Sequence, residues 1–247
     1  MATDPSQTHE LVLPGTRKAR DPERSLKRGP RRVPPEVVAA NQRDRLLDGF
    51  VRTIGQVGYA HTRVSDICQA AGVTRPVFYE LFKGKEDAFL AAHHYGTTMV
   101  FSAMEEAHAR TSDWPGAVRA GLGALLNLLA GAPAFAAMAI VEVDAVGPAG
   151  WAAREALLTR FRDFFTDAPE DGLPVPTAEL VDIVVGGVYS AIHRRIAAGR
   201  TAELPGLLPG LVFSVLAPFL GPERAAACLA DPAPAAGPLP DCLAPGA

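Results

Sequence analysis

This chain has little cysteine, little lysine and no long unbroken apolar run. Its 247 residues include three cysteines, Cys68, Cys228 and Cys242. An odd, widely spaced set builds neither a disulfide framework nor a metal-ligand spacing, which points to a reducing cytoplasm and to no metal or cofactor. His93 and His94 do not change that, because neighbours on a helix project about 100° apart and do not chelate one ion as an i, i+4 pair does. The N-terminus is polar and lacks the apolar core of a signal peptide. The most apolar run, LPGLLPGLVFSVLAPFLG, is broken by Pro205, Gly206, Pro209, Gly210 and Pro218, whereas a membrane span needs ~20 clean residues. The chain therefore reads as soluble, with no membrane partner. Nucleophile elbow, P-loop, H-E-x-x-H and glycine-rich strand-to-helix turn are all missing, which argues against an enzyme. Period-two alternation is scarce, so the expected fold class is all-α.

Enough apolar sequence remains for a real core, since hydrophobic residues make up 48% and charged residues 21%, the balance of a globular protein. The net charge of −3 hides an asymmetry. Through Leu90 there are 15 Lys/Arg against 11 Asp/Glu; beyond it there are 9 against 16. All the lysines fall in the first part. A basic head on an acidic body is an arrangement that polyanion binders show. RKARDPERSLKRGPRR at 17–32 sets eight basic residues beside Asp21 and Glu23. Residues 1–34 have no apolar periodicity and read as a disordered basic arm, either a solvated tail or a segment that follows a DNA groove or phosphates. The Pro/Ala/Gly-rich stretch 231–247 reads as a frayed tail.

Between these ends the apolar spacing is helical. Leu47, Phe50, Val51, Ile54 and Val57 recur at i, i+3, i+4, i+7, one face of a helix that Gly58 ends. A second helix is expected over Val64–Ala71, with Val64, Ile67 and Ala71 inward and Gly72 as its stop. A third follows Thr74, a candidate cap, with Pro76 tolerated in the first turn; Val77, Leu81 and Phe82 face the core. Lys85-Glu86-Asp87 opens a fourth, running to about Arg110. Five more are expected at about 114–130, 133–144, 148–168, 178–198 and 207–220.

Two short helices joined by Gly72-Val73, behind a longer one, make a helix-turn-helix. In such a unit the second short helix enters the major groove. Arg75 at its N-terminal end is placed to pair bidentately with guanine. Tyr79 offers a hydroxyl to a phosphate. Lys83 and Lys85 lie just past the helix, and Lys85 converges with the free N–H groups of the fourth helix on another phosphate. Glu80 is read as pointing to solvent and Cys68 as an inert core thiol.

Across residues 36–90 the sequence resembles the tetracycline-repressor (TetR) family of bacterial regulators. The matching pattern is Arg43, Leu46-Leu47, Phe50, Gly58-Tyr59, Val64, Asp66-Ile67, Ala71-Gly72-Val73, Val77, Tyr79, Phe82, Lys85 and Glu86. The resemblance implies an α-helical homodimer with a small DNA-binding domain and a larger, divergent ligand-binding domain. It implies recognition-helix roles for Arg75, Pro76, Phe78 and Tyr79, and a phosphate contact for Lys85. Arg43, Thr62, Arg63, Ser65, Thr74 and Lys83 complete the DNA-facing set. Arg63 departs from the family, which has Thr or Ser there; either Thr62 caps the second helix one residue early or Arg63 itself meets phosphate.

Beyond residue 90 the resemblance fades and the residues speak alone. The expected division is a helix-turn-helix domain at 35–90 and a helical ligand-binding and dimerisation domain at 91–230. Phe101, Met104, Trp114, Phe135, Met138, Trp151, Phe161 and Phe165 are core or cavity walls, and Asn127, Glu142, Tyr189 and His193 are polar groups on apolar faces. Together they fit a pocket for a mostly apolar effector. Leu180, Ile183, Val184, Gly187, Val188 and Ala191 line one helix, and Leu211, Val212, Val215, Leu216 and Phe219 the next. Either these faces pair in a two-fold four-helix interface or they cover one another within one chain. The partners implied are a double-stranded operator, a small-molecule effector and a second copy. The mechanism implied is repression relieved by the effector; the rival is a constitutive DNA-binding protein.

Overall fold

The computed structural model describes residues 12–17, 34–169, 173 and 175–230. Every regular element among them is helical, as the spacing predicts. Helix α1, Pro35–His61, buries Leu46, Leu47, Phe50, Val51 and Ile54. Its path breaks at Gly58, where φ is 77°, a conformation that costs a side chain dearly and glycine little. Val57, expected inward, is 47% exposed just before the break, while Tyr59 just after it is buried.

Helix α2 spans Val64–Ala71 and helix α3 Arg75–Leu81. Gly72 sits between them in the left-handed region, with φ 64°. Ile67 and Ala71 hold α2 against α1, and the fit is close: a Cβ on Gly49 would stand 2.8 Å from the Ala71 nitrogen. Two α1 arginines brace the turn, Arg45 Nη2 donating to the Gly72 carbonyl at 3.0 Å and Arg52 Nη2 to the Ala70 carbonyl at 3.2 Å. Positive charge at a helix C-terminus is favourable, so these residues stabilise the orientation of α3.

Helix α4, Lys85–His108, leaves this unit through Phe89, which meets Phe50 and Tyr59 edge-on. It packs along α5, Trp114–Gly131, whose first turn is capped by the Asp113 carboxylate accepting from the Gly116 N–H at 2.7 Å. Next come a short α6, Pro133–Ala136, a π-helical turn, Ala137–Val141, and a 3-10 turn, Glu142–Val146. This trio lies against α1, with Ala134 so near Gly55 that a Cβ there would stand 2.8 Å away. Helices α7 (Pro148–Phe161), α8 (Thr177–Ala197), α9 (Leu208–Leu220) and α10 (Pro222–Ala230) complete the fold. Thr201–Leu220 is long and apolar enough to cross a membrane by length and composition, with mean hydropathy 1.6. Here it is split into a 3-10 turn and α9, and Leu211, Val212, Val215, Leu216 and Phe219 are buried within the chain.

The arm is not wholly without structure. Leu13 and Pro14 are buried, the Gly15 N–H donates to Asp48 Oδ1 at 2.9 Å, and the Arg17 carbonyl accepts from Arg52. Burial of a leucine offers ~1.5–3 kcal/mol, which together with the Gly15–Asp48 and Arg17–Arg52 hydrogen bonds favours docking of the segment. A polar surrounding sequence conceals it. The basic stretch 18–33 and the tail 231–247 lie outside the described residues.

Candidate nucleic-acid interface and apolar cavity

Helix α3 presents Thr74, Arg75, Pro76 and Tyr79 to solvent, with Tyr79 53% exposed. The Thr74 hydroxyl caps nothing, so it stays with the outward set. Arg63 and Ser65 at the start of α2, and Lys83 beyond α3, are exposed as well. Arg43 is exposed and its guanidinium lies 4.8 Å from the Phe82 ring centre. Arg63, not Thr62, is the residue preceding α2, and its N–H donates to Asp66 Oδ2 at 3.0 Å.

Two of the expected DNA-facing residues point elsewhere. Phe78 is fully buried, its ring against Tyr79 and Phe82; it anchors α3 rather than reading a groove. Thr62 is 3% exposed and its hydroxyl donates to the Gly58 carbonyl at 2.7 Å. That bond closes the break in α1 and uses the hydroxyl's one proton, leaving none for a phosphate.

Lys85 is half-buried. Its Nζ donates to the Tyr59 carbonyl at 2.8 Å and lies 4.1 Å from the Tyr59 ring centre. Burial lowers the pKa of its ammonium. The same Tyr59 donates its N–H to Glu142 Oε2 at 2.7 Å. Glu142 is expected from its sequence setting among the effector contacts; the structure puts its carboxylate at the break in α1 instead.

The larger part holds an apolar cavity that is partly open to solvent, about 680 Å³ counting the solvent space at its mouth. Its walls are Met104 and His108 of α4, Ala117, Val118, Gly121, Leu122, Leu125 and Leu129 of α5, Ile140 of the π turn, Phe161, Phe164 and Phe165 at and after the end of α7, Val185, Val188, Tyr189 and Ile192 of α8, and Val215 of α9. Only His108 and Tyr189 bring polar side-chain atoms to it. The Tyr189 hydroxyl donates to the Ile140 carbonyl at 2.9 Å, and burial, foremost, pushes its pKa up to about 12.

Met104, Phe161, Phe165 and Tyr189 line the cavity. Phe101, Trp114, Phe135 and Met138 are buried behind the walls: Phe101 stacks on Phe164, Trp114 meets Phe219 edge-on, and Phe135 fills the space over Gly96. His193 is half-buried beside Tyr189 and outside the lining. Trp151 is 52% exposed, on the outer side of α7. Asn127 is exposed, on the face of α5 turned away from the cavity.

The expected dimer residues also divide. Ile183 is 66% exposed and Gly187 is exposed. Leu180 and Val184 are buried, Val188 lines the cavity and Ala191 is half-buried. The five α9 residues are covered by the chain itself, because their side of α9 packs on α5 and α10. Gly210 and Ser214 occupy the outer side.

A short exposed helix with arginine at its start, braced by α1 and α2 through a glycine turn, is the DNA-binding helix-turn-helix. Residues 46–92 match the family model of the bacterial regulatory proteins, tetR family. Residues 46–92 thus carry the DNA-binding domain of that family of transcriptional regulators. No curated protein matches it significantly. Among solved structures it is similar to the fatty acid degradation regulator FadR of Bacillus halodurans, with a TM-score of 0.64 at 17% identity, covering 75% of this chain and 97% of that one. It is also similar to FadR of Bacillus subtilis in complex with stearoyl-CoA, at TM-score 0.55 and 17% identity over 72% of this chain and 97% of that one. The regulator TylP of Streptomyces fradiae gives TM-score 0.56 at 18% identity, over 76% and 91%. At such identities the likeness establishes a shared fold.

Proposed function

We propose that this regulator is a cytoplasmic homodimeric repressor that leaves a palindromic operator when a lipophilic small molecule enters the cavity. The observation that carries the reading is the pairing of an outward α3 with an apolar cavity walled by α4, the helix that leaves the DNA-binding unit. Arg75 reads a base edge, Tyr79, Lys83 and Lys85 meet phosphates, and Arg43, Arg63, Ser65 and Thr74 flank them. Ile183, Gly187 and the outer side of α9 form the contact with a second copy, where an exposed isoleucine gains most from burial. The B. subtilis FadR complex, a neighbour in fold, holds stearoyl-CoA, and the walls here suit an aliphatic or aromatic body without charge.

Selection of duplexes from a random library tests the DNA side; a two-fold symmetric site is expected, and recovery of unrelated sequences would defeat it. Sedimentation of the free chain and of Ile183→Glu tests the assembly, with a dimer expected to become a monomer. A cavity-filling Gly121→Phe variant that binds operator but resists release by hydrophobic compounds would favour the effector reading over constitutive binding.

A further inference from the structure

We propose that Tyr189 is the sensing residue of the cavity: its hydroxyl holds the π turn in register through the Ile140 carbonyl, and a neutral lipophilic ligand carrying a hydrogen-bond acceptor takes that proton and lets Glu142 leave the DNA-binding unit. This rests on the reading of the cavity as an effector site.

The walls define the ligand class. No lysine, arginine, aspartate or glutamate lines the cavity. A cation would find no carboxylate there and an anion only the His108 imidazole and the one Tyr189 proton, so either loses more hydration than these walls return. Tyr189 has one proton to give, and it now goes to Ile140. A ligand carbonyl or ether that accepts it leaves the Ile140 carbonyl without that donor.

The π turn converts that loss into movement. Within Ala137–Val141 the Glu142 N–H bonds the Ala137 carbonyl, five residues back. Such a turn is an α-helix carrying one extra residue. Returning it to α-helical pairing shifts the residues after it by one position, roughly 100° and 1.5 Å. Glu142 is the first residue affected, and its bond to the Tyr59 N–H at 2.7 Å does not survive that rotation. Tyr59 also holds Lys85 through its carbonyl and ring. The signal therefore arrives at the start of α4, beside the end of α3.

The test uses the full chain, its selected duplex, and three probes: the fluorophore N-phenyl-1-naphthylamine for occupancy, undecan-2-one as a neutral acceptor, and decanoate as an anion of similar length. Undecan-2-one is expected to displace the dye and weaken DNA binding by a factor within the usual coupling range of roughly 5–150, with decanoate at least about tenfold less potent. Tyr189→Phe should bind dye normally, show the weakened DNA binding without any ketone, and respond no further to it. Glu142→Ala, outside the cavity, removes the acceptor for the Tyr59 N–H and should show the same weakening with unchanged dye binding, and the double variant should be no weaker than either single one. Thermal melts verify folding; should Tyr189→Phe not fold, Glu142→Ala and the ketone carry the test. Dye and ketone that never enter the wild-type chain would overturn the cavity reading and this one with it. Entry with ordinary binding and release by Tyr189→Phe would overturn the sensing step alone, and equal potency of decanoate would overturn the neutral class.

Discussion

Acidification is expected to loosen the protein through one imidazole, that of His93. This residue of α4 is 4% exposed, stacks on Phe89, and leaves its Nε2 buried without a hydrogen-bond partner. Burial, opposed by the Ala139 carbonyl and reinforced by His94, lowers its pKa from 6.5 to about 4. The unfolded chain therefore takes up the proton first. Stability from the neutral imidazole is complete above pH 6.5, falls as the pH drops toward 4, and levels off below. With those two values the loss reaches about 2.5 kcal/mol at pH 4.5. For a chain of this size that is roughly 5–10 °C in Tm. His93→Phe keeps the ring on Phe89 and has nothing to titrate. Thermal melts of both proteins at pH 7 and 4.5 separate this loss from that of the carboxylates they share. If both lose the same Tm, His93 is not the acid-sensitive group.

Lys85→Ala should cost about 1 kcal/mol, less than a fully buried charged hydrogen bond because the ammonium is half-exposed, and should lower the salt slope of DNA binding by about 0.9; an unchanged slope removes Lys85 from the phosphate contacts. Leu13→Ala should undock residues 12–17, speeding hydrogen exchange of the Gly15 N–H roughly ten- to hundredfold; unchanged exchange would mean that Asp48 alone holds the segment. Asn127→Leu should leave melting within about 0.5 kcal/mol and operator release unaltered, as for an exposed site; a lost response would return Asn127 to the cavity.

The DNA-binding unit is legible in the sequence because local rules and tertiary packing agree there. Val64–Ala71 ends at a left-handed glycine that its residue type marks, whereas Arg63 at its start carries no capping signal. Phe78 misleads for a reason visible in α3: in seven residues the outward and inward stripes sit side by side. In α5 the stretch GALLNLLAG looks apolar throughout, yet Asn127 falls on the stripe of Ala120, Gly123, Ala124 and Gly131. Small residues mark the outer face, and the amide belongs to it. Helix α9 is apolar on nearly every side, so periodicity does not say which side meets the chain and which a partner. Nothing in AAMAIV marks a π turn, whose extra residue depends on what packs around it, so Glu142 and its bond to Tyr59 have no sequence signal. Arg45 and Arg52 lie on a recognisable helix, but their carbonyl partners on and beside α2 appear only in three dimensions.

The most direct measurement compares wild-type and Arg75→Ala binding to the selected duplex and to random DNA at one fixed salt concentration. Wild type is expected to prefer its site by roughly 10³-fold or more. Arg75→Ala is expected to lose ~1–3 kcal/mol on the site, to relax the preference at one base pair in each half, and to bind random DNA almost unchanged. Equal affinity of the wild-type chain for both duplexes, or an equal loss on both in Arg75→Ala, would contradict a regulator that reads its operator through this helix.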